Sequence, residues 1–493
     1  MGSRRNPPHT GSCTKGNQGK GKQHNEVEKR QNGESPKLIL LMTTAPPLKS
    51  PWGMAGKLPP LGLAYVAAAL EKAGFQVDIF DNYLLERPIE EVKSEVKKRS
   101  PEIVGITCSS LTYERCIKTA KAVKEAYPSC KVVVGGPHPS YMPQTMLQHE
   151  EIDYVVIGEG EQAMVKLAAS IMKGEENAVI AKIPGVACRI GGEVVKSAPE
   201  FINDLDQVPF PARHLLPMQM YDRALSYLSV KPVDTMSILR GCPYNCAYCE
   251  TRELWGTTCR AFSPQRVIDE IKHMVENYGS KGIYFVGDNF TINKKRAADL
   301  CRLIRNNKID VKWTCETRAD LISKELLVEM KSAGCQTIFF GVESGSPTIQ
   351  QKLEKKIDLH EVERTFELCR QVGIRTATSF MLGIPGETVN DMKATFKFAK
   401  HLNADWCQFN IYVACPGSRL YDEVMSQGLY DQMDNYLARV KTKEFDYDML
   451  VKIQRDFQRG CQKSAASKLI RVIKQEGLGS AVKKGASLVF HRS

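Results

Sequence analysis

Between Lys37 and Gly160 five short apolar runs alternate with helix-length stretches: LILLM (38–42), VDIF (77–80), IVGIT (103–107), VVVGG (132–136) and YVVIG (154–158). The intervening LGLAYVAAALEKAG and CIKTAKAVKEAYP are helical in pattern. Strand–helix–strand repeated in this way demands right-handed crossovers and hence a doubly wound parallel sheet of α/β class. Ligands of such sheets lie beyond the carboxyl ends of the strands, near the switch point. The residues there are small or flexible: Thr43 and Thr44, then Ser109, Ser110 and Leu111, then Gly135 and Gly136, then Gly158, Glu159 and Gly160. One glycine at a strand end is a turn former. Together these residues make a floor that a large flat ligand can approach closely.

A chain of 493 residues has room for two or three domains, each with its own core. No apolar run reaches the roughly 18 residues that span a bilayer, and the opening MGSRRNPPHTGS lacks the apolar region of a secretory signal, so a cytoplasmic location is expected. In that compartment most of the sixteen cysteines should be reduced core residues, Cys188, Cys301 and Cys369 among them. The net charge of +12 is carried by the two ends: residues 1–36 hold seven Lys/Arg against three Glu, and residues 452–493 hold ten against Asp456 and Glu476. The body between them is neutral, which argues against nucleic acid as a partner of the core. Residues 1–36, rich in Gly, Asn, Gln and Lys, read as a disordered arm.

The first segment resembles the cobalamin-binding domain. Ser109, Ser110 and Leu111 match that family's Ser-x-Leu after the third strand, and Gly135 and Gly136 match its Gly-Gly after the fourth. The departure is in the loop after the first strand, where TTAPPLKSPWG carries no histidine in place of the family's Asp-x-His-x-x-Gly. The resemblance therefore implies a base-off corrin without a histidine beneath the cobalt. His138, in GGPHPSYMP, is read as polar loop rather than ligand.

A further strand-like run, DTMSILR (234–240), leads into GCPYNCAYCE, where Cys242, Cys246 and Cys249 share one loop. Zinc is the weaker reading, because no second Cys pair lies nearby and Cys259 stands alone ten residues on. Three thiolates on a 4Fe-4S cube leave one iron open. The Cys-x-x-x-Cys-x-x-Cys spacing resembles that of the radical S-adenosylmethionine enzymes, in which the open iron chelates S-adenosylmethionine and an electron cleaves its sulfonium to give a deoxyadenosyl radical.

The downstream pattern agrees with that resemblance. GIYFVGDNF (282–290), DVKWTCETR (310–318), TIFFGVES (337–344), TATSFMLGIPGE (376–387) and DWCQFNIYV (405–413) bring the strand count to six, that family's partial barrel. Polar residues end these strands: Asp288 and Asn289, Glu316 and Arg318, Glu343 and Ser344, Glu387. By resemblance Gly287, Asp288 and Asn289 replace the family's Gly-Gly-Glu at the methionine amino group, with Asn for Glu. Glu343 and Ser344 match the strand end near the ribose, and Gly383 to Gly386 match the loop near adenine. Glu316 and Arg318 complete the expected cofactor-binding set. Cys259, Cys315 and Cys415 could serve as acid or base, with core packing or loop filling as the default for each.

The sequence thus divides into an arm (1–36), a Rossmann-like cobalamin domain (37–180), a proline-punctuated connector with a hairpin at Gly191 and Gly192 (181–233), a partial (β/α)6 barrel (234–425) and a basic helical extension (426–493). In the extension Leu450, Ile453, Phe457 and Cys461 share one face, continued by Leu469, Ile470 and Ile473. That face suits a cap on the barrel, and a membrane-surface helix admitting a lipid-like substrate is the alternative. The expected activity is methyl transfer to an unactivated carbon of a small-molecule or lipid-like substrate, with a flavodoxin or ferredoxin as electron donor. The rivals are an oxidative cyclase like that of magnesium-protoporphyrin monomethyl ester and a non-catalytic cobalamin sensor or carrier, against which the cysteine triad argues.

Overall fold

The computed structural model describes residues 37–46, 57–287 and 289–461. The N-terminal arm, Asp288, part of the loop after the first strand, and Leu469, Ile470 and Ile473 lie outside the described residues.

The five expected strands form as β1 (Leu38–Thr43), β2 (Gln76–Asp81), β3 (Ile103–Thr107), β4 (Lys131–Gly135) and β5 (Tyr154–Val156), parallel and ordered 2-1-3-4-5. Their side chains are buried on both faces, as the unbroken runs of Ile, Leu and Val require of a sheet covered by helices on either side. Helices Leu61–Lys72 and Gly160–Met172 pack on one face, and Ile89–Arg99 and Tyr113–Ala126 on the other.

The connector departs from expectation. Its hairpin, β6 (Val186–Ile190) and β7 (Glu193–Lys196), pairs antiparallel onto β5 and carries the first sheet past residue 180. Gly191 and Gly192, both left-handed (φ +59° and +89°), make the two-residue turn. Beyond it the chain is packed: Leu205, Val208, Ala212, Leu216 and Met218 are buried, the Tyr221 hydroxyl donates to Asp81 Oδ2 at 2.5 Å, and buried Arg213 pairs with Glu270 at 2.9 Å.

The second sheet begins with β8 (Val233–Ser237). Two short strands, β9 (Leu239–Arg240) and β10 (Arg260–Ala261), pair antiparallel and bracket the cysteine loop. There follow β11 (Gly282–Val286), β12 (Lys312–Thr317), β13 (Cys335–Glu343), β14 (Arg375–Leu382) and β15 (Trp406–Ile411). All are parallel to β8 and lie in chain order, giving the six-stranded open barrel.

The extension is not helical throughout. After β16 (Val413–Ala414), β17 (Tyr430–Asp434) and β18 (Leu437–Val440) form a three-stranded antiparallel sheet, because Asn435 and Tyr436 both take left-handed φ (+53° and +66°) and reverse the chain in two residues. The helix is Tyr447–Cys461, its Leu450, Ile453, Phe457 and Cys461 facing the barrel core as expected. It closes the open edge of β15 through side chains: Gln458 Oε1 accepts from Phe409 N (3.1 Å), Gln458 Nε2 donates to Cys407 O (2.8 Å) and Gln454 Nε2 donates to Phe409 O (2.8 Å). No helix among the described residues is long and apolar enough to cross a membrane.

Candidate functional site

The carboxyl ends of the first sheet and the start of the barrel flank a common, half-open slot of about 350 Å³. Leu41, Val133, Val156 and Met164 make its apolar wall, Gly135, Gly136 and Gly158 line its mouth, and Ser237, Arg240, Leu254, Trp255 and Val286 come from the barrel side. A β-carbon at Gly136 (φ +106°) would stand 2.8 Å from Cys108 O and 3.1 Å from Thr107 Oγ1, so the β3 and β4 ends meet too closely for any other residue. Ser109, Ser110 and Leu111 form the next turn rather than this wall. Ser109 closes a capping box with Thr112, and Ser110 Oγ lies 2.9 Å from His138 Nδ1. His138 is fully buried, its other nitrogen 3.3 Å from Thr145 Oγ1, and burial pulls its pKa down to about 4. Both nitrogens are thus engaged within the protein, but His138 is a buried residue of the short helix Pro137–Tyr141 and not part of a polar loop as expected. An apolar slot with glycine edges fits the aromatic tail of a base-off corrinoid.

The cysteine loop is tied down on all sides. Gly241 (φ +85°) turns the chain, Ala247 N donates to Leu353 O (2.9 Å), Leu420 N donates to Ala247 O (2.9 Å), and Arg419 Nη2 donates to Asn245 O (2.6 Å). Cys242, Cys246 and Cys249 are half-buried, whereas Cys188, Cys301, Cys315 and Cys369 are fully buried core residues. Burial raises the Cys246 thiol pKa, opposed by the cations Lys355 and Arg318 nearby. No three His, Cys, Asp or Glu side chains among the described residues converge tightly enough for a single ion.

The strand-end residues divide into two groups. Arg318 and Glu343 reach the cysteine loop through its tyrosines: the Arg318 guanidinium lies 3.9 Å over the Tyr244 ring, and Glu343 Oε1 accepts from Tyr248 Oη (3.2 Å) and Lys355 Nζ (2.8 Å). Arg318 is also fixed by Asp320 Oδ2 (2.8 Å) and Lys355 O (2.8 Å). The others bond to neighbouring strands and helices or, for Glu387, within its own loop. Glu316 accepts from the Tyr284 hydroxyl, and Asn289 Oδ1 accepts from Thr317 Oγ1 (2.6 Å), which turns its carboxamide onto β12. Ser344 Oγ lies 3.0 Å from Thr395 Oγ1. Gly287 follows β11, and Gly383 and Gly386 (φ +88° and +84°) shape a loop whose amides, Gly383 N and Ile384 N, donate to Glu387 Oε2 at 2.6 and 3.1 Å. Burial raises the Glu387 pKa to about 7. Of the acid–base candidates, Cys315 is packed inside the barrel and Cys415 has its pKa raised to about 12 by burial; Cys259 is half-buried beside the cysteine loop.

One group was not singled out as a site from the sequence: Glu159, Glu161, Arg240 and Arg260, with side chains 1–8 % exposed, form an ion network between the two sheets. Arg260 Nη1 donates to Glu159 Oε1 (2.6 Å) and Ile202 O (2.8 Å), and Arg240 Nη2 to Glu161 Oε1 (2.5 Å). The signal was in plain text, two carboxylates alternating with glycines in GEGE and an arginine before Gly-Cys, but only the tertiary contact pairs them.

The fold and site define a class. The radical SAM superfamily model matches residues 236–399 and the B12 binding domain model residues 54–168. An uncharacterised methyltransferase of Pyrococcus horikoshii is 34% identical over 394 residues, 80% of this chain and 83% of that protein. The anaerobic magnesium-protoporphyrin IX monomethyl ester cyclase of Rubrivivax gelatinosus is 28% identical, over 75% of this chain and 67% of its own. Among solved structures, the radical S-adenosylmethionine methyltransferase TsrM from Kitasatospora setae, with cobalamin and a 4Fe-4S cluster bound, superposes with a TM-score of 0.67 at 21% identity, covering 81% of this chain and 80% of that one. The chain belongs to the radical SAM superfamily, in its cobalamin-binding branch, and takes a 4Fe-4S cluster, S-adenosylmethionine and cobalamin as cofactors.

Proposed function

We propose that the protein is a C-methyltransferase that methylates an unactivated carbon of a small-molecule or lipid-like substrate. The observation that carries this reading is the nearness of the two parts: the slot at the strand ends of the first sheet is also lined by Arg240, Leu254 and Trp255, which lie in sequence on either side of the loop bearing Cys242, Cys246 and Cys249, so a methyl donor and a hydrogen-abstracting centre would be neighbours. The 34% identical methyltransferase supports it. Cys242, Cys246 and Cys249 would hold three corners of the cluster. Ser109, Ser110, Leu111, Gly135, Gly136 and Gly158 would bear the corrin. Gly287, Asp288, Asn289, Glu316, Arg318, Glu343, Ser344, Gly383 and Gly386 would bear S-adenosylmethionine, with Arg318 and Glu343 acting through Tyr244 and Tyr248 on the cysteine loop. The bound cofactors supply radical hydrogen abstraction and methyl donation. The chain's own part is to hold them on one cavity and shield it from water. Flavodoxin or ferredoxin would deliver the electron.

The 28% identical cyclase gives the second reading, in which no methyl is transferred. Anaerobic reconstitution with iron, sulfide and cobalamin, then mass spectrometry of products from candidate metabolite pools, distinguishes them. A gain of one methyl per turnover supports the proposal, and a turnover product with no added methyl selects the cyclase. Reconstituted protein that makes no deoxyadenosine leaves only a sensor or carrier.

A further inference from the structure

The inner face of the barrel has a chemistry of its own. Along β11 to β15, Phe285, Cys315, Ile338, Phe340, Phe380 and Phe409 are buried and belong to the core beneath the helices. Strand side chains alternate, so the neighbours of these residues point the other way, into the lumen. The register stacks them in layers: Glu316, Phe339, Ala377 and Trp406 in one, then Gly341, Ser379 and Gln408 nearer the carboxyl ends, with Met381 and Asn410 above. A closed barrel fills such layers with branched aliphatic side chains. Here Glu316, Ser379, Gln408 and Asn410 are polar and only half-buried, so solvent reaches them.

The amino-terminal end of the lumen is plugged. Tyr227 of the connector sets its ring edge-on to Phe339 (6.0 Å) and Trp406 (5.5 Å), and its carbonyl accepts from Thr337 Oγ1 (2.7 Å) and Arg375 Nη2 (2.9 Å). The lumen is thus entered from the carboxyl ends of the strands, the side on which the chain leaves β8 for the cysteine loop. On the wall near that mouth Gln408 Nε2 donates to Asn410 Oδ1 at 3.0 Å, and among the described residues neither carboxamide has another partner. Whichever way round the two carboxamides are set, the pair keeps an N–H donor and a carbonyl acceptor for a third group. A donor beside an acceptor is the complement of an amide, which presents one of each.

We propose that the substrate is a small molecule bearing an amide, which Gln408 and Asn410 select, while its apolar part lies against Phe339, Trp406 and Tyr227 deeper in the lumen. This rests on the reading of the chain as an enzyme that presents a substrate carbon at the barrel mouth, and it narrows the substrate class from small-molecule or lipid-like to amide-bearing. It holds for methyl transfer and cyclisation alike, because it concerns the group that is held and not the carbon that reacts. A neutral hydrogen bond lost from such a site weakens binding by about tenfold.

Binding and product identity test it together. Full-length protein carrying its cluster, cobalamin and S-adenosylhomocysteine, which has no sulfonium to cleave, is titrated by calorimetry with phenylacetamide and isovaleramide and with methyl phenylacetate and methyl isovalerate, esters that keep the carbonyl but have no N–H. Each amide should bind about tenfold more tightly than its ester, and the difference should vanish when Gln408→Met and Asn410→Leu are combined. The complete enzyme is also incubated with the polar and the lipid fractions of a cell extract, and the compound whose mass changes only with S-adenosylmethionine present is identified by tandem mass spectrometry; it should contain an amide. Equal binding of amide and ester, binding of neither, or discrimination that survives in the double variant would each overturn the proposal, as would a product without an amide. If the double variant does not fold, the wild-type comparison and the product decide. A methylated product without an amide defeats this inference and leaves the methyl-transfer reading standing, whereas an amide-bearing product with no added methyl does the reverse.

Discussion

Replacing Gly241 with alanine probes how tightly the cysteine loop is closed. Gly241 has φ +85°, a conformation that costs an L-residue about 1–2 kcal/mol. A β-carbon there would collide with the Thr258 carbonyl oxygen and stand 3.0 and 3.2 Å from the carbonyl oxygens of Trp255 and Gly256. These are backbone atoms of the loop's return path, held by β9–β10 pairing and by Arg260, so they cannot rotate away. Overpacking against fixed neighbours adds about 1–3 kcal/mol, for a sum of roughly 2–5 kcal/mol. Gly279→Ala is the control: φ is +64°, but nothing lies within 4 Å of the added carbon, so only the dihedral cost of about 1–2 kcal/mol remains. Anaerobic urea unfolding followed by circular dichroism, with iron measured after reconstitution, compares them. Gly279→Ala should keep wild-type iron with a small loss of stability, and Gly241→Ala should lose most of its iron. Equal behaviour of the two variants would refute the steric argument.

Three further outcomes follow from the site. Changing Cys242, Cys246 and Cys249 together to alanine should abolish both iron binding and deoxyadenosine formation, and full iron content with turnover in that variant would end the cluster assignment. The Co(II) form should show no nitrogen superhyperfine splitting in electron paramagnetic resonance, because His138, buried with both nitrogens engaged, is not placed to serve beneath cobalt; a clear triplet would contradict the base-off reading. Burial holds His138 neutral to about pH 4, whereas the unfolded chain takes up its proton near pH 6.5. Its contribution to stability is therefore complete above pH 6.5 and falls by at most about 1.4 kcal/mol per pH unit below it. Unfolding measured from pH 7.5 to 5 should show a shallower slope in His138→Gln than in wild type.

The β-strands were legible because each parallel strand, buried on both faces, must be an unbroken apolar run, and the cysteines because their spacing is local. Tyr430 to Val440 was not: with Gln432, Asp434, Asn435 and Arg439 it has the polarity of an exposed helix, and the reversal depends on Asn435 and Tyr436 both adopting left-handed φ, which no glycine announces. Tyr436 is held there by contacts from elsewhere in the chain, its ring 5.3 Å from those of both Tyr113 and His138. The polar strand ends were legible as a set but not in role. Asn289 and Ser344 have the chemistry of ligand contacts, yet their oxygens bond to Thr317 at the end of β12 and Thr395 in the helix Val389–Leu402.

The buried ions between the two sheets bear on how such an enzyme is assembled. Burying two carboxylates and two guanidiniums carries a desolvation penalty of several kcal/mol per ion, which pairing recovers only with good geometry, so an apolar interface would hold the domains together at least as firmly. What the ions add is register. Glu159 accepts from both Arg260 Nη1 and Ile202 N, and Glu161 takes Arg240, so a slip of either domain leaves charges unpaired in a dry interface. Apolar contacts tolerate a shift of an ångström; this network does not. In the methyl-transfer reading proposed above, the two cofactor sites would have to be held with that precision, because a misplacement of about an ångström alone can cost about a hundredfold in rate. The charges therefore tie Arg240, which leads into the cysteine loop, to the end of the first sheet and the helix Gly160–Met172 that follows it.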